Sequence, residues 1–167
     1  MLNLPTVILM TSNGVGMGHL SRQLTVALSG NQQFRPVIFS LSKALPRVMK
    51  AESDGDLSEA AGRDLRYEYC PSRESLWLPQ AGWRRLIREK YRSYRWHPYL
   101  RDRLVALVRE TGARAVMFDG VFPYAGLLAA RQALPETPFL WVRRGMWKAD
   151  VSAKQLKPAK LFDEVVE

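Results

Sequence analysis

Residues 6–11 read Thr-Val-Ile-Leu-Met-Thr, and the next seven, Ser-Asn-Gly-Val-Gly-Met-Gly, hold three glycines. Apolar residues on successive positions need burial on both faces, which is the signature of a strand inside a parallel sheet. The stretch after the glycines has helical spacing. Leu20, Leu24, Ala27 and Leu28 share one face of a predicted helix over 19–29, and Gly30 stops it. A buried strand, a glycine turn and an amphipathic helix in that order constrain the chain to an α/β design from its first thirty residues.

The same alternation continues. Predicted strands lie at 36–40 (built on Val37, Ile38 and Phe39), 65–70, 113–118 and 139–142. Pro46 suits the first turn of a short helix over 46–51, 52–62 reads as a loop or weak helix, and 71–82 as an irregular loop. Over 83–96 the residues Trp83, Leu86, Ile87, Tyr91 and Tyr94 share one helical face, while Arg84, Arg88, Arg92 and Arg95 share another. Pro98 is expected to break or kink that helix. A further helix then runs to 110, with Leu100, Leu104, Leu107 and Val108 inward and Gly112 at its end. Another spans 123–134 with proline in its first turn. After Arg143-Arg144-Gly145 the tail is basic, then partly helical, and Val165-Val166 begins one more strand. A length of 167 residues suits one domain. The predicted fold is α/β: a single Rossmann-like domain over 1–167, its parallel sheet flanked by helices and wound with right-handed crossovers. Ligands bind such sheets outside the carboxyl ends of the strands. The turns at that edge are 12–18, 40–42, 70–72, 119–120 and 143–145.

Glycines between strand and helix let a ligand approach the backbone, and the helix start favours an anion. A tight turn without a ligand is the plainer alternative. The spacing is not that of a dinucleotide site. G-x-G-x-x-G would need glycine where His19 stands, and no acidic residue follows the second strand at Phe39-Ser40-Leu41-Ser42 to hold a ribose.

The run Ser12-Asn13-Gly14-Val15-Gly16-Met17-Gly18-His19-Leu20-Ser21-Arg22 resembles the first loop of GT-B glycosyltransferases. These include the peptidoglycan N-acetylglucosaminyltransferase and the UDP-dependent glycosyltransferases of small molecules. Bacterial members similar to this chain carry a glycine-methionine-glycine-histidine run there. A second stretch, Phe118-Asp119-Gly120 through Arg143-Arg144-Gly145-Met146-Trp147, supports the resemblance, and element order matches along the whole chain. The family has two Rossmann-like domains, an N-terminal one for the acceptor and a C-terminal one for most of the nucleotide-sugar donor. The resemblance implies that residues 1–167 are the acceptor-binding domain. The donor-binding domain is then absent from this chain, to be supplied in cis or in trans, and the chain alone does not complete transfer.

In the small-molecule branch the loop histidine deprotonates the acceptor hydroxyl and an aspartate from a later strand end holds it. By motif these are His19 and Asp119, although the aspartate context of that branch is not Phe-Asp-Gly. A hydroxyl attacks poorly until a base takes its proton, and a carboxylate on the other imidazole nitrogen fixes the tautomer. His19 bonding only its own loop, and Asp119 only turning the chain or capping the helix near Pro123, are the plainer readings. Candidate substrate or phosphate contacts are Ser12, Asn13, Gly14, Gly16, Met17, Gly18 and Ser21. Arg143 and Arg144 join them as guanidinium partners for a phosphate or acidic sugar, against the alternative of a solvated basic turn. His97, beside Pro98, reads as a surface histidine. Two histidines and one cysteine, far apart, make no metal pattern. No cofactor is expected, and a UDP-sugar enters as substrate.

A net charge of +9 invites nucleic acid, an anionic membrane surface or a phosphorylated ligand. Much of it falls in 84–103. The aromatics there, Trp83, Tyr91, Tyr94 and Trp96, sit at helical spacing and are better explained as core than as base-stacking platforms. The loop residues Leu76, Trp77, Leu78 and Pro79 beside basic Arg84, Arg88 and Arg92 suit docking to an anionic surface, where each basic side chain contributes about 1 kcal/mol. That placement fits an acceptor that is lipid-linked or phosphorylated. A single cysteine forms no internal disulfide, and the apolar run 7–10 is too short for a secretion signal or a membrane span. The expected location is the cytoplasm, or the inner face of its membrane. A non-catalytic acceptor-binding or regulatory subunit, and a related GT-B enzyme such as a sugar-nucleotide epimerase, are the alternative functions.

Overall fold

The structure of the chain, a computed structural model, describes residues 4–12, 17–30, 32–53, 65–73, 85–143 and 157–167, without the side chains of 51–53 and 85–93. Six strands, β1 (Thr6–Thr11), β2 (Arg35–Ser40), β3 (Arg66–Tyr69), β4 (Ala115–Asp119), β5 (Phe139–Val142) and β6 (Glu164–Val166), form one sheet in the order β3-β2-β1-β4-β5-β6. Every neighbouring pair is parallel. The helices are α1 (Gly18–Gly30), α2 (Leu45–Ser53), α3 (Arg85–Thr111) and α4 (Ala125–Ala133), with a short 3-10 turn at Lys157–Leu161. The expected Rossmann-like α/β class is the observed one.

Alternation along the strands divides the core in two. Leu9 and Ile38 face Leu20 and Ala27 of α1 and Leu45 and Val48 of α2. Ile8, Met10, Val37, Phe39, Val116 and Phe118 face the other way, against Trp96, Leu100, Leu104 and Leu107 of α3 and Leu127 and Ala130 of α4. Both sheet faces are therefore covered, which is why β1 and β2 read as unbroken apolar runs. The strands at 6–11 and 139–142 fall where the sequence puts them, and the strand foreseen at Val165-Val166 pairs with β5 as β6.

The region around Pro98 differs from expectation. The two helices predicted on either side of it are one helix of 27 residues, with Pro98 inside. Proline removes the bond to the carbonyl of Tyr94. Tyr94 and Pro98 both lie on the solvent side, where water can take that carbonyl. Continuity then fixes the helical phase. The stripe through Leu100, Leu104 and Leu107 projects back onto Trp96, which is 2% exposed, and turns Tyr94 outward at 78%. Tyr94 thus lies off the face predicted for it, whereas Trp96 is core and donates its indole N–H to the Pro71 carbonyl at 2.7 Å. Gly112 ends α3 in the left-handed region at φ +60, a conformation that glycine adopts without steric cost. The basic face at Arg84, Arg88 and Arg92, its apolar counterpart at Trp83, Leu86, Ile87 and Tyr91, and the loop around Trp77 lie outside the described residues or side chains. Among the described residues no helix is long and apolar enough to cross a membrane.

Candidate functional site

β1 and β4 are neighbours, yet β2 continues to one side of them and β5 to the other. The order reverses at this point, and sheets of this kind bind ligands at the carboxyl ends of the strands beside such a reversal. Thr11 and Asp119 are register partners at those ends. The chain leaving β1 is tied to β4 by the Ser12 N–H, which donates to the Asp119 carbonyl at 3.0 Å. Gly120 follows. A Cβ on it would stand 2.4 Å from the Phe118 ring and 2.9 Å from the Ser12 Cβ, so the close approach of the two strand ends needs glycine. The Trp141 indole N–H donates to the Gly120 carbonyl at 2.8 Å and pins the turn from the β5 side. Asp119 is therefore held from both neighbouring strands before its side chain makes any contact.

That side chain is 2% exposed. It does not cap the following helix, whose N-cap is Tyr124 with no side-chain cap bond. Its Oδ1 lies 2.7 Å from Nδ1 of His19 in the first turn of α1. Arg22, one turn further along α1, donates from Nε to Oδ2 and from Nη2 to Oδ1, each at 2.7 Å. The fork matches the carboxylate in a bidentate way. Arg22 Nη2 also stands 3.0 Å from His19 Nδ1. That nitrogen cannot both donate to the carboxylate and accept from the guanidinium. A bare Nδ1 lone pair at 2.7 Å from a carboxylate oxygen would be repulsive, so Nδ1 carries the proton and donates to Asp119. The ring's other nitrogen, Nε2, has no hydrogen-bond partner among the described residues. The side-chain bond to Asp119 holds the Arg22 guanidinium's proton more firmly than usual.

The structure brings His19 and Asp119 into contact. Arg22 was quoted in the loop motif but not singled out. Its signal was present, since residues three apart on a helix share a face and Arg22 stands so spaced from His19. Ser12 is buried at the same strand end. Met17 is half exposed, and its carbonyl accepts the Ser21 N–H at 2.7 Å. The Ser21 hydroxyl turns back to the Gly18 carbonyl at 3.3 Å, within the first turn of α1. Arg143, at the end of β5, pairs with Glu167 beyond β6 and lies over the Trp141 ring, 5.6 Å from its centroid. Asn13, Gly14, Gly16 and Arg144 lie outside the described residues. Buried hydroxyls missed by the sequence reading line the same edge. Thr11 Oγ1 and Ser40 Oγ are 2.6 Å apart, and Ser40 Oγ accepts the Ser42 N–H at 3.0 Å.

His97 is not the surface residue that was expected. It is half buried, and its Nδ1 accepts the Gly126 N–H in the first turn of α4 at 3.4 Å. Burial, with the Arg73 charge second, holds it below its ordinary value. Cys70 is fully buried, its thiol pushed up to about 12 by that burial, so it is no nucleophile at neutral pH. Among the described residues no group of three His, Cys, Asp or Glu could hold a metal ion.

No protein-family model matches the sequence, and no curated protein matches it. Solved structures do match the fold. A glycosyltransferase from Rickettsia africae aligns over 95% of this chain with a TM-score of 0.57 at 12% identity. MurG from Acinetobacter baumannii aligns over 96% with a TM-score of 0.56 at 14% identity. UGT2 from Phytolacca americana, solved with UDP-2fluoro-glucose and pterostilbene, aligns over 86% with a TM-score of 0.53 at 16% identity. The alignments take in only 35%, 40% and 31% of those proteins, so this chain matches two fifths of their length or less. A six-stranded parallel sheet with helices on both faces, matched over nearly its whole length to part of each of these enzymes, has the fold of a Rossmann-like domain of GT-B glycosyltransferases, in keeping with the N-terminal one.

Proposed function

We propose that this chain is the acceptor-side domain of a glycosyltransferase and that His19 is its general base. The observation that carries the reading is the buried contact of His19 Nδ1 with Asp119 Oδ1 at 2.7 Å, at the point where the strand order reverses. His19 Nε2 takes the proton of an acceptor hydroxyl as its oxygen bonds to the anomeric carbon of a nucleotide-sugar, and the bond from that carbon to the diphosphate breaks, the nucleoside diphosphate leaving with the electron pair. Asp119 accepts the Nδ1–H bond throughout and stabilises the imidazolium that forms, without itself taking the proton. The donor, a UDP-sugar, is held mainly by a second Rossmann-like domain, in cis or in trans. Ser12 and the loop residues Asn13, Gly14, Gly16, Met17, Gly18 and Ser21 contribute backbone and hydroxyl contacts to acceptor or donor phosphate. Arg143 and Arg144 serve an acidic or phosphorylated group of an acceptor.

Sugar transfer by this chain together with its donor-binding domain tests the reading. A positioned base contributes roughly 10²–10⁴ in rate. His19→Ala is expected to lower kcat by about 10²-fold or more with KM for the acceptor little changed, and Asp119→Asn to give a smaller loss in the same parameter. Near-normal kcat in His19→Ala would place the base elsewhere.

A further inference from the structure

The His19–Asp119 pair has a third member, and charge explains its presence. Asp119 is 2% exposed, and a carboxylate so removed from water needs a cation beside it. Two groups on α1 can supply one. His19 would do so by becoming imidazolium, and would then have no lone pair with which to act as a base. Arg22 does so permanently, because a guanidinium keeps its charge at any physiological pH. Its Nε and Nη2 occupy both oxygens of Asp119 at 2.7 Å. The same Nη2 stands 3.0 Å from His19 Nδ1, which sets a full positive charge beside the ring and opposes a second one there. Among the described residues, the strand ends packed beside α1 bring no charge to this point: β1 ends in Thr11, followed by Ser12, and β2 in Ser40.

We infer that Arg22 is a positioning residue and the counter-ion of Asp119: by gripping both oxygens it balances the buried carboxylate, so that His19 stays neutral, with its Nδ1 proton on Asp119 and its lone pair on Nε2. The inference deepens the general-base reading and rests on it for its catalytic meaning, but the charge arrangement is independent of any sugar. A carboxylate with histidine alone favours the protonated ring. A carboxylate already shared with arginine still orients the ring through one hydrogen bond and leaves the base free to act.

The experiment reads the ring nitrogens directly. The ¹⁵N-labelled chain is examined by NMR near neutral pH, without donor or acceptor, as wild type, Arg22→Met and the double variant Arg22→Met/Asp119→Asn. Wild type is expected to show His19 protonated at Nδ1 alone. Arg22→Met should show both ring nitrogens protonated, and the double variant, with no carboxylate left to balance, should be neutral again. A His19 ring equally neutral in wild type and in a folded Arg22→Met overturns the inference, as does imidazolium in the wild type. If Arg22→Met does not fold, the double variant decides. A folded double variant with a neutral His19 means that the unpaired carboxylate was the fault and supports the proposal. An unfolded one means that Arg22 serves something other than Asp119 and overturns it. Because no transfer is measured, loss of the general-base reading would leave this result standing, and the reverse.

Discussion

The chain's two histidines both contact the first turn of a helix, and their neighbours give them opposite tasks. His19 sits in the first turn of α1 and donates from Nδ1 to a carboxylate that also holds a guanidinium. His97 sits beside Pro98 in α3 and accepts at Nδ1 from the Gly126 N–H of α4. The first nitrogen must carry a proton and the second must not. One neighbourhood is a set of paired charges at the mouth of the sheet, and the other is a hydrogen-bonded joint between two helices. The difference teaches that the residue type alone says little. The partner on the first ring nitrogen decides whether the second is a base or a donor.

Glycine contacts separate the two neighbourhoods most strongly. At Gly126 a Cβ would meet the His97 carbonyl oxygen at 2.5 Å and the Leu100 Cβ at 3.1 Å. Neither can yield without moving α3 and α4 apart. At Gly120 the nearest atoms belong to side chains, the edge of the buried Phe118 ring at 2.4 Å and the Ser12 Cβ at 2.9 Å, and not to backbone. Gly126→Ala is expected to cost about 3 kcal/mol and Gly120→Ala about 1–2 kcal/mol by urea unfolding, within the usual range for overpacking. Gly120→Ala should in addition impair transfer, because the Ser12 and Asp119 ends must separate to admit the methyl, whereas Gly126→Ala should spare kcat in whatever fraction remains folded. Equal effects on activity would remove the distinction between candidate site and structural joint.

A pH series sharpens the same comparison with a smaller effect. His97 is held below its ordinary value by burial and then by Arg73, so the unfolded chain binds its proton more readily than the folded one. The sign follows. Its contribution to stability is fully present above the ordinary value of about 6.5 and fades as pH falls below it, through the lower folded value. Tm followed from about pH 7.5 to pH 5 should fall less steeply in His97→Asn, whose amide oxygen can accept the Gly126 N–H at every pH. Identical slopes in the two proteins would assign the acid sensitivity elsewhere.

The smallest expected effect lies at the β5–β6 edge. Asp163 accepts the Phe139 N–H at 2.7 Å and pairs with Arg131 at 2.9 Å, and that backbone bond is the leading cause of its depressed value. This contribution is present above the ordinary carboxylate value of 3.8 and is lost as pH falls through the lower folded one. The pair faces solvent, so Asp163→Asn should cost under about 1 kcal/mol in urea unfolding near neutral pH. A larger loss would make this edge a buried network like that at Asp119.

Periodicity and composition determined the class of the fold. A strand covered on both faces is apolar at every position, and a covering helix is apolar on one, so 6–11, 19–29, 36–40 and 139–142 were legible residue by residue. The resemblance of the loop motif to GT-B glycosyltransferases also marked His19 and Asp119, and both fall where strands of such a sheet end. The tertiary structure alone decided the rest. Whether a helix continues through Pro98 depends on whether solvent can take the freed carbonyl, and the answer chose Trp96 over Tyr94 for the core. The order β3-β2-β1-β4-β5-β6 put the ends of β1 and β4 side by side, joining residues a hundred positions apart. Sequence spacing could place Arg22 on the same helical face as His19, but it could not say that this face meets a buried carboxylate. That depends on where α1 lands on the sheet, and packing against Leu9 and Ile38 settles it.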